Sequence, residues 1–278
     1  MNKKISDLIE YRFGAPTQVG NQMPAEGPLA SILERRTHRQ YSEQKVDDEL
    51  LEILIACGLS ASSKSDLQQA SVIIVDDPAT RALIGSWIPS MPWITQAPRF
   101  LVFCGDHSRI RIAAEMRNKP FPNDNVDQFM NAAVDAGLVM QAFTMAAESV
   151  GLGCCPISEI RSNIEALSAL LELPDLVFPI AGLCVGYPAR EGFVSMRLPQ
   201  SLTVHHDRYE ASDREEKIDA YDRRRDKRFS IPEVNQRNKK EYGVADFYGW
   251  SEDKARQYST PHRAGFLAYL KARGFAML

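Results

Sequence analysis

The order of its elements predicts an α+β chain. Short apolar runs of strand type fall at 71–75, 100–104 and 178–186, and a long stretch near 125–150 repeats its apolar residues every three or four positions. Helical segments separate these runs in an order too irregular for a regular βαβ array. The composition is that of a globular protein. The chain has 278 residues, 44% of them hydrophobic and 25% charged, which excludes disordered, collagen-like and disulfide-scaffold classes. A formal net charge of -3 excludes a globally basic nucleic-acid binder.

Taken in order, residues 1–28 form an arm: a short amphipathic helix (Ile5, Leu8, Ile9), then a stretch of Gly, Pro, Gln and Asn. One domain is expected over 29–278. Pro28 starts a helix through Leu29, Ile32 and Leu33 that runs into Glu34-Arg35-Arg36-Thr37-His38-Arg39. Asp47 or Asp48 caps the next helix, with Leu50, Leu51, Ile53 and Leu54 on it and Gly58 as its stop. A Ser-rich loop at 60–66 leads into the first strand. Residues 107–124 read as a loop with some helix. The long helix at 125–150 carries small residues (Ala132, Ala133, Ala136, Gly137, Ala142, Ala146, Ala147) that let a second helix approach closely, and Gly151 and Gly153 end it. Another helix spans 164–171 and stops near Pro174, and 178–186 is an apolar central strand. A charged excursion covers 207–249, and a last helix at about 252–273 returns Phe266, Leu267, Tyr269 and Leu270 to a core.

The N-terminus lacks the apolar segment of a secretory signal, and four polar residues (Asn131, Asp135, Gln141, Glu148) interrupt the most hydrophobic stretch, so neither secretion nor membrane insertion is expected. Five cysteines without C-x-x-C spacing suit a reducing compartment, and a cytoplasmic location is expected. There is no G-x-G-x-x-G after a strand, no P-loop and no G-x-S-x-G, and the five histidines lack metal-ligand spacing.

What remains is a scattered set of segments. Arg35, Arg36 and Arg39 with Thr37 place three guanidiniums and a hydroxyl within about one turn, where they repel unless an anion lies between them; a solvated basic turn is the other reading. Arg197, just past an apolar strand, is a further phosphate-binding candidate. Gly153-Cys154-Cys155-Pro156-Ile157-Ser158-Glu159 is an extended segment whose backbone N–H groups point outward, or a plain connection. Ser60, Ser62, Ser63, Asp66 and Gln68 offer short hydroxyl and amide groups, or simply a polar loop.

In this order and spacing the segments resemble the FMN-dependent nitroreductase family, in its branch of oxygen-insensitive NADPH nitroreductases and flavin reductases. The resemblance runs through Arg35-Arg36-Thr37-His38-Arg39-Gln40-Tyr41, the block from Ser62-Ser63 to Gln68, Phe103-Cys104-Gly105-Asp106 and Ala147 to Gly153. It continues at Arg161-Ser162-Asn163, Gly182-Leu183-Cys184-Val185-Gly186 and Arg197-Leu198-Pro199. It implies a central, mostly antiparallel sheet flanked by helices, in an intertwined homodimer with FMN sites built by both chains. By the same resemblance Arg36, Thr37, Arg39 and Arg197 hold the phosphate and ribityl-pyrimidine end, with Arg35 also at a cofactor position. Ser63 and Gln68 come from the second chain, and Pro156, Ile157, Ser158 and Glu159 lie along the isoalloxazine. The small-residue face of the long helix becomes the dimer core.

The sequence departs from that pattern in several places. Ser195-Met196 replaces Lys-Pro, Glu159 stands where Gly is usual, Met91 occupies the neighbourhood of a usual Gln, the arm is extra, and 207–249 aligns poorly. The implied reaction is ping-pong hydride transfer through flavin N5, from NADPH or NADH to a nitroaromatic, a quinone or free flavin, with no catalytic side chain. Arg237, Lys239 and Lys240 are candidates for the 2′-phosphate of NADPH, or part of a solvated charged loop. Two rival readings are other flavin chemistry (reductive dehalogenation or flavin breakdown) and a non-enzymatic binding module using the 214–240 basic run. Interleaved acids cancel most of the field of that run, and no nucleic-acid partner is expected.

Overall fold

The computed structural model describes residues 3–276. The chain divides into two compact units, one from 36–193 with 263–278 and the other from 1–35 with 194–262.

The first of these is built on a four-stranded sheet: β1 (Ala70–Ile74), β2 (Arg99–Asp106), β3 (Gly153–Ile157) and β4 (Val177–Gly186). Its spatial order is β1-β2-β4-β3, with every neighbouring pair antiparallel. β2 and β4 are apolar almost throughout because helices cover both faces of the sheet. Alternate residues therefore enter two cores. Phe100, Val102, Cys104 and Cys184 face a core with Ile84, Ile94, Ile160 and Leu167, whereas Leu101, Phe103, Leu183 and Val185 face one with Leu51, Leu54, Val139 and Phe143.

Two helices, Pro78–Ser86 and Trp93–Gln96, fill a stretch that the sequence reading left unassigned. The helix Val126–Ser149 starts at Asn125, whose side chain accepts from the backbone N–H groups of Asp127 and Gln128. Its small residues Ala132, Ala136 and Ala147 are fully buried within the unit, against the sheet and neighbouring elements. The side left exposed carries the larger Val126, Met130, Val134 and Leu138. Of the small residues on this helix, these three pack inside their own chain, whereas Ala133, Gly137, Ala142 and Ala146 stay half-buried, with open space beside Gly137.

The second unit contains helices Ile5–Phe13, Gly27–Glu34, Gln200–Thr203, Arg214–Phe229, Lys239–Tyr242 and Trp250–Gln257. Ile5, Leu8 and Ala30 form its small apolar core. Polar tethers do much of the remaining work. Buried Arg12 donates to the carbonyls of Leu33, Arg35 and Ser195, and Asp222 accepts from the backbone and hydroxyl of Ser251. The charged excursion thus contains a helix of 16 residues, with acids in its first turn and bases in its last to match the helix dipole.

Two expectations are corrected here. The final helix is broken: Trp250–Gln257 and Phe266–Ala272 are separate, because Pro261 disfavours helix at the residue before it and Arg263 turns left-handed at φ 53. Tyr269 and Leu270 are buried as expected, but Leu267 is exposed. The helix begun near Pro28 ends at Glu34, and Arg35 is extended, so the arginines do not share a helical turn.

Candidate active site

The two edges of the sheet carry the sequence-predicted residues of the first unit. β3 is an edge strand, hydrogen-bonded to β4 along one side. Along its other side runs the segment after Arg36: Thr37 forms a parallel bridge with Cys154, and the His38 N–H donates to the Cys154 carbonyl at 3.1 Å. This close approach depends on Gly153, where a Cβ would lie 2.7 Å from Cγ of His38. Tyr41 fixes the far end of the segment; it bridges Pro188, and its hydroxyl donates to the His38 carbonyl at 2.7 Å. Burial pushes the Tyr41 hydroxyl far above its ordinary pKa, so it stays a neutral donor.

Thr37 therefore lies beside the strand that continues into Pro156 and Ile157, then into the turn Ser158–Asn163. Pro156 and Ser158 are exposed, and Ile157 turns its side chain into the core. Arg36 pairs with Glu191 at 2.5 Å, but Glu191 is 83% exposed, so the pair is a weak surface contact. Arg39 lies over the Trp93 ring, 5.4 Å from its centre, and has no carboxylate partner among the described residues. The buried indole N–H of Trp93 also finds no acceptor among them.

Glu159 accepts from the Ser162 hydroxyl at 2.6 Å and pairs with Arg263 at 3.1 Å. Sequence reading missed Arg263. Its signal is Pro261, which breaks the apparent helix and brings this arginine into a left-handed turn.

At the opposite edge of the sheet, the loop before β1 presents Ser63 and Gln68 into a cleft of about 280 Å³, with Arg109 and Asp135 also lining it. Asp135, buried on the helix Val126–Ser149, organises the loop. Its carboxylate accepts from the Ser63 hydroxyl at 2.9 Å, from the Lys64 N–H at 3.2 Å and from the Gln69 N–H at 3.1 Å. The Ser63 oxygen in turn accepts from the Gln68 N–H at 2.6 Å. Ser65, Asp66 and Gln68 all have left-handed backbones, at φ 49, 57 and 51. Such residues persist where their surroundings over-determine them. Arg109 supplies the second clamp, donating to the carbonyls of Gln68 at 2.6 Å and Ala70 at 2.7 Å. Both clamps were missed in sequence, although an aspartate on the buried face of an apolar helix is itself a signal.

The remaining candidates belong to the other unit. Arg35 follows the helix Gly27–Glu34, and its carbonyl accepts from Arg12. Arg197 is exposed; its N–H donates to the Arg12 carbonyl at 2.8 Å and its guanidinium to the Ser195 hydroxyl at 2.5 Å. Arg237 is a tether, bonded to Asp253 at 3.0 Å and through its N–H to the Tyr248 hydroxyl at 2.9 Å. Lys239 and Lys240 are exposed and have no ion-pair partner among the described residues. No group of three or more potential metal ligands occurs among the described residues, and no helix there is long and apolar enough to cross a membrane.

Comparison with known proteins points in one direction. The profile described as nitroreductase family matches residues 32–187, and that of its C-terminal domain matches 195–278. "FMN reductase [NAD(P)H]" of Bacillus subtilis is 34% identical over 89% of this chain and 97% of its own length. "Oxygen-insensitive NADPH nitroreductase" of Salmonella typhimurium is 32% identical over 87% of this chain and 95% of its own length. Among solved structures, NfrA2 of B. megaterium superposes with a TM-score of 0.81 at 34% identity, covering 90% of this chain and 98% of the other. The NADPH:FMN oxidoreductase of Vibrio harveyi, complexed with NAD+, gives 0.77 at 28% identity, covering 89% and 97%.

Proposed function

Because the chain belongs to the nitroreductase family, we propose that it is an FMN-dependent NAD(P)H oxidoreductase acting as a homodimer on small electron acceptors such as nitroaromatics, quinones or free flavin. The observation that carries the dimeric part of this reading is the placement of its residues at opposite sheet edges. Arg36, Thr37 and Arg39 lie with 156–159 at the β3 edge, whereas Ser63 and Gln68 precede β1 at the other. Three strand spacings of about 4.8 Å separate those edges, roughly 14 Å in all. One chain does not bring both sets to one flavin ring, and a second copy supplies the missing half. The exposed apolar stripe Val126, Met130, Val134 and Leu138 gives that copy a surface to cover.

The residues present suit FMN. Arg39 is a cation without a carboxylate partner among the described residues, Arg36 pairs with the exposed Glu191 and donates to the Gly192 carbonyl at 3.2 Å, and Thr37 and Ser158 offer hydroxyls. In this reading Arg36, Thr37 and Arg39 grip the phosphate and ribityl-pyrimidine end. The backbone of Pro156, Ile157, Ser158 and Glu159 lines the ring, and Ser63 and Gln68 come from the second copy. When bound, FMN accepts hydride from NAD(P)H and delivers two electrons to the acceptor. The chain orients the ring, and its guanidiniums favour the anionic form of the reduced cofactor. Since Arg237 is already held by Asp253, contact with the nicotinamide 2′-phosphate falls within this segment to Lys239 and Lys240.

The test is direct. The purified chain, as isolated or reconstituted with FMN, is expected to be yellow, to bleach anaerobically with NADPH, and to recover its colour on addition of a nitroaromatic or quinone. A chain that remains colourless after reconstitution, or a yellow chain that NAD(P)H does not bleach, overturns the oxidoreductase assignment. Strictly monomeric holoprotein in solution overturns the shared site.

A further inference from the structure

The turn that follows β3 gathers three charged side chains, each fixed by a different anchor. Glu159 is held inside the turn Ser158–Asn163, where one carboxylate oxygen accepts from the Ser162 hydroxyl at 2.6 Å. Its other oxygen pairs with Arg263 at 3.1 Å, although 104 residues separate the two in sequence. Arg263 is set by its backbone. It is left-handed at φ 53, and its carbonyl accepts the Phe266 N–H at 3.0 Å, at the start of the helix Phe266–Ala272. Phe266 packs edge-on against Phe129, ring centres 6.0 Å apart, which ties this start to the core. Arg161, in the same turn as Glu159, donates to the Ile180 carbonyl on β4.

The charges of this cluster do not balance: two guanidiniums face one carboxylate. Burial, followed by the neighbouring Arg263 charge, lowers the Arg161 pKa from its ordinary value, and Glu159 opposes that shift. All three groups therefore lie within electrostatic reach of one another. The Arg263 side chain is only 24% exposed, and its Nε–H finds no hydrogen-bond partner among the described residues. Its one carboxylate partner there is Glu159, which is 43% exposed. A largely buried guanidinium with an unmet N–H suits a carboxylate or sulfonate, because two N–H groups then bind two oxygens. Glu159 already fills that place.

We propose that Glu159 is a specificity-determining residue that turns away anionic electron acceptors, because it occupies the Arg263 guanidinium that an acid group on such a molecule would otherwise take. The substrates are then neutral or cationic nitroaromatics and quinones. The inference rests on the flavin oxidoreductase reading, which lays 156–159 along the ring and so puts this pair beside the electron acceptor. An entering acid has to displace Glu159 and leaves two negative charges side by side. Removing the Glu159 carboxylate exchanges that repulsion for an open cation. One unit charge at contact distance changes binding about fivefold even in water-like surroundings.

The experiment uses full-length holoprotein loaded with FMN, as wild type, Glu159→Gln, Glu159→Ser, Arg263→Gln and the double variant Glu159→Gln/Arg263→Gln. 4-Nitrobenzoate and its neutral isostere 4-nitrobenzamide are titrated into each, and perturbation of the flavin absorbance gives the two Kd values. No nicotinamide is present, so the readout is binding without turnover. Glu159→Gln and Glu159→Ser are each expected to shift the Kd ratio at least fivefold in favour of the benzoate. Arg263→Gln and the double variant should share one ratio, since the gain needs the guanidinium. The kcat/KM ratio for the same two compounds should move with the Kd ratio. A ratio unchanged in both Glu159 variants, or a gain that survives in the double variant, overturns the proposal. A holoprotein that NADPH bleaches, but whose flavin responds to neither compound in wild type or in the Glu159 variants, overturns it as well and leaves the oxidoreductase reading standing. A chain that binds no FMN overturns both.

Discussion

Asp135 is where the stability of the fold and the geometry of the site meet. Its carboxylate is 2% exposed and accepts three hydrogen bonds, from the Ser63 hydroxyl and the N–H groups of Lys64 and Gln69. A hydrogen bond to a charged acceptor contributes about 1.5–3 kcal/mol, against about 0.5–1.5 for a neutral one. In Asp135→Asn the amide can keep its oxygen toward Ser63 and Gln69, sacrificing the Lys64 contact, whose donor lies on the exposed loop and turns to water. The cost is then the lost charge on two bonds plus one bond exchanged for solvent, about 2–3 kcal/mol. Asp135→Ala removes all three acceptor contacts and strands the Gln69 N–H, which belongs to a fully buried residue, so about 3–6 kcal/mol is expected. Urea unfolding followed by far-ultraviolet circular dichroism measures this as a lower midpoint at unchanged slope. Because the same bonds hold three left-handed residues, freeing them also loosens Ser63 and Gln68, and FMN affinity should fall at least 10-fold in Asp135→Asn. Stability within about 0.5 kcal/mol of wild type, below the range given for losing any one of these bonds, refutes the energetic argument. Lost stability with undiminished FMN affinity refutes the link from the carboxylate to the site.

Three further outcomes follow from the same geometry. Gly153→Ala forces a methyl to within 2.7 Å of the His38 ring, so it should cost about 1–3 kcal/mol in urea unfolding and weaken FMN more than riboflavin; a silent substitution removes the role given to this edge. Burial, outweighing an opposing hydrogen bond to Asn123, holds His107 below its ordinary value of 6.5, so its stabilising share is complete above that pH and is lost as pH falls through the window beneath it, at up to about 1.4 kcal/mol per pH unit; His107→Gln should flatten the slope, and an identical pH profile refutes this. The double variant Lys239→Ala/Lys240→Ala should slow bleaching by NADPH and not by NADH, and equal rates for both remove these lysines from nicotinamide recognition.

The sheet was legible because its strands are buried on both faces and read as unbroken apolar runs; residues 100–104 and 178–186 became β2 and β4 at the centre. The extended reading of 153–157 also held, since Pro156 at an edge costs no ladder bond. Where the reading failed, the deciding interaction came from far along the chain. Arg35 to Arg39 left the helix because Thr37 bridges Cys154, a partner more than a hundred residues away. The charged excursion folds through Asp222, Asp253 and Arg256, whose partners no periodicity reveals. Ser63 and Gln68 could be proposed from sequence, but Asp135 and Arg109, which fix them, needed the fold.

Four of the five cysteines (Cys104, Cys154, Cys155 and Cys184) are buried, and Cys57 alone is exposed. Burial, followed by the nearby Asp106 charge, pushes the Cys104 thiol up to about 12, and burial raises Cys184 well above its ordinary value. A thiol reacts as its thiolate, so at pH 8 only about one Cys104 side chain in ten thousand is reactive even when reached. Cys154 and Cys155 adjoin the proposed ring-binding segment, and Cys155 faces Cys184 across the β3–β4 ladder, a position that invites a redox role for the thiols themselves. The burial argues the reverse: these sulfurs pack the two cores on either side of the sheet, and electron transfer belongs to the bound flavin. Native holoprotein treated with iodoacetamide at pH 8 should therefore take up one equivalent, at Cys57, and keep its NADPH-dependent reductase activity, whereas urea-unfolded chain takes up five. Uptake of more than one equivalent by the native protein, or loss of activity in step with the first, would return the thiols to the mechanism.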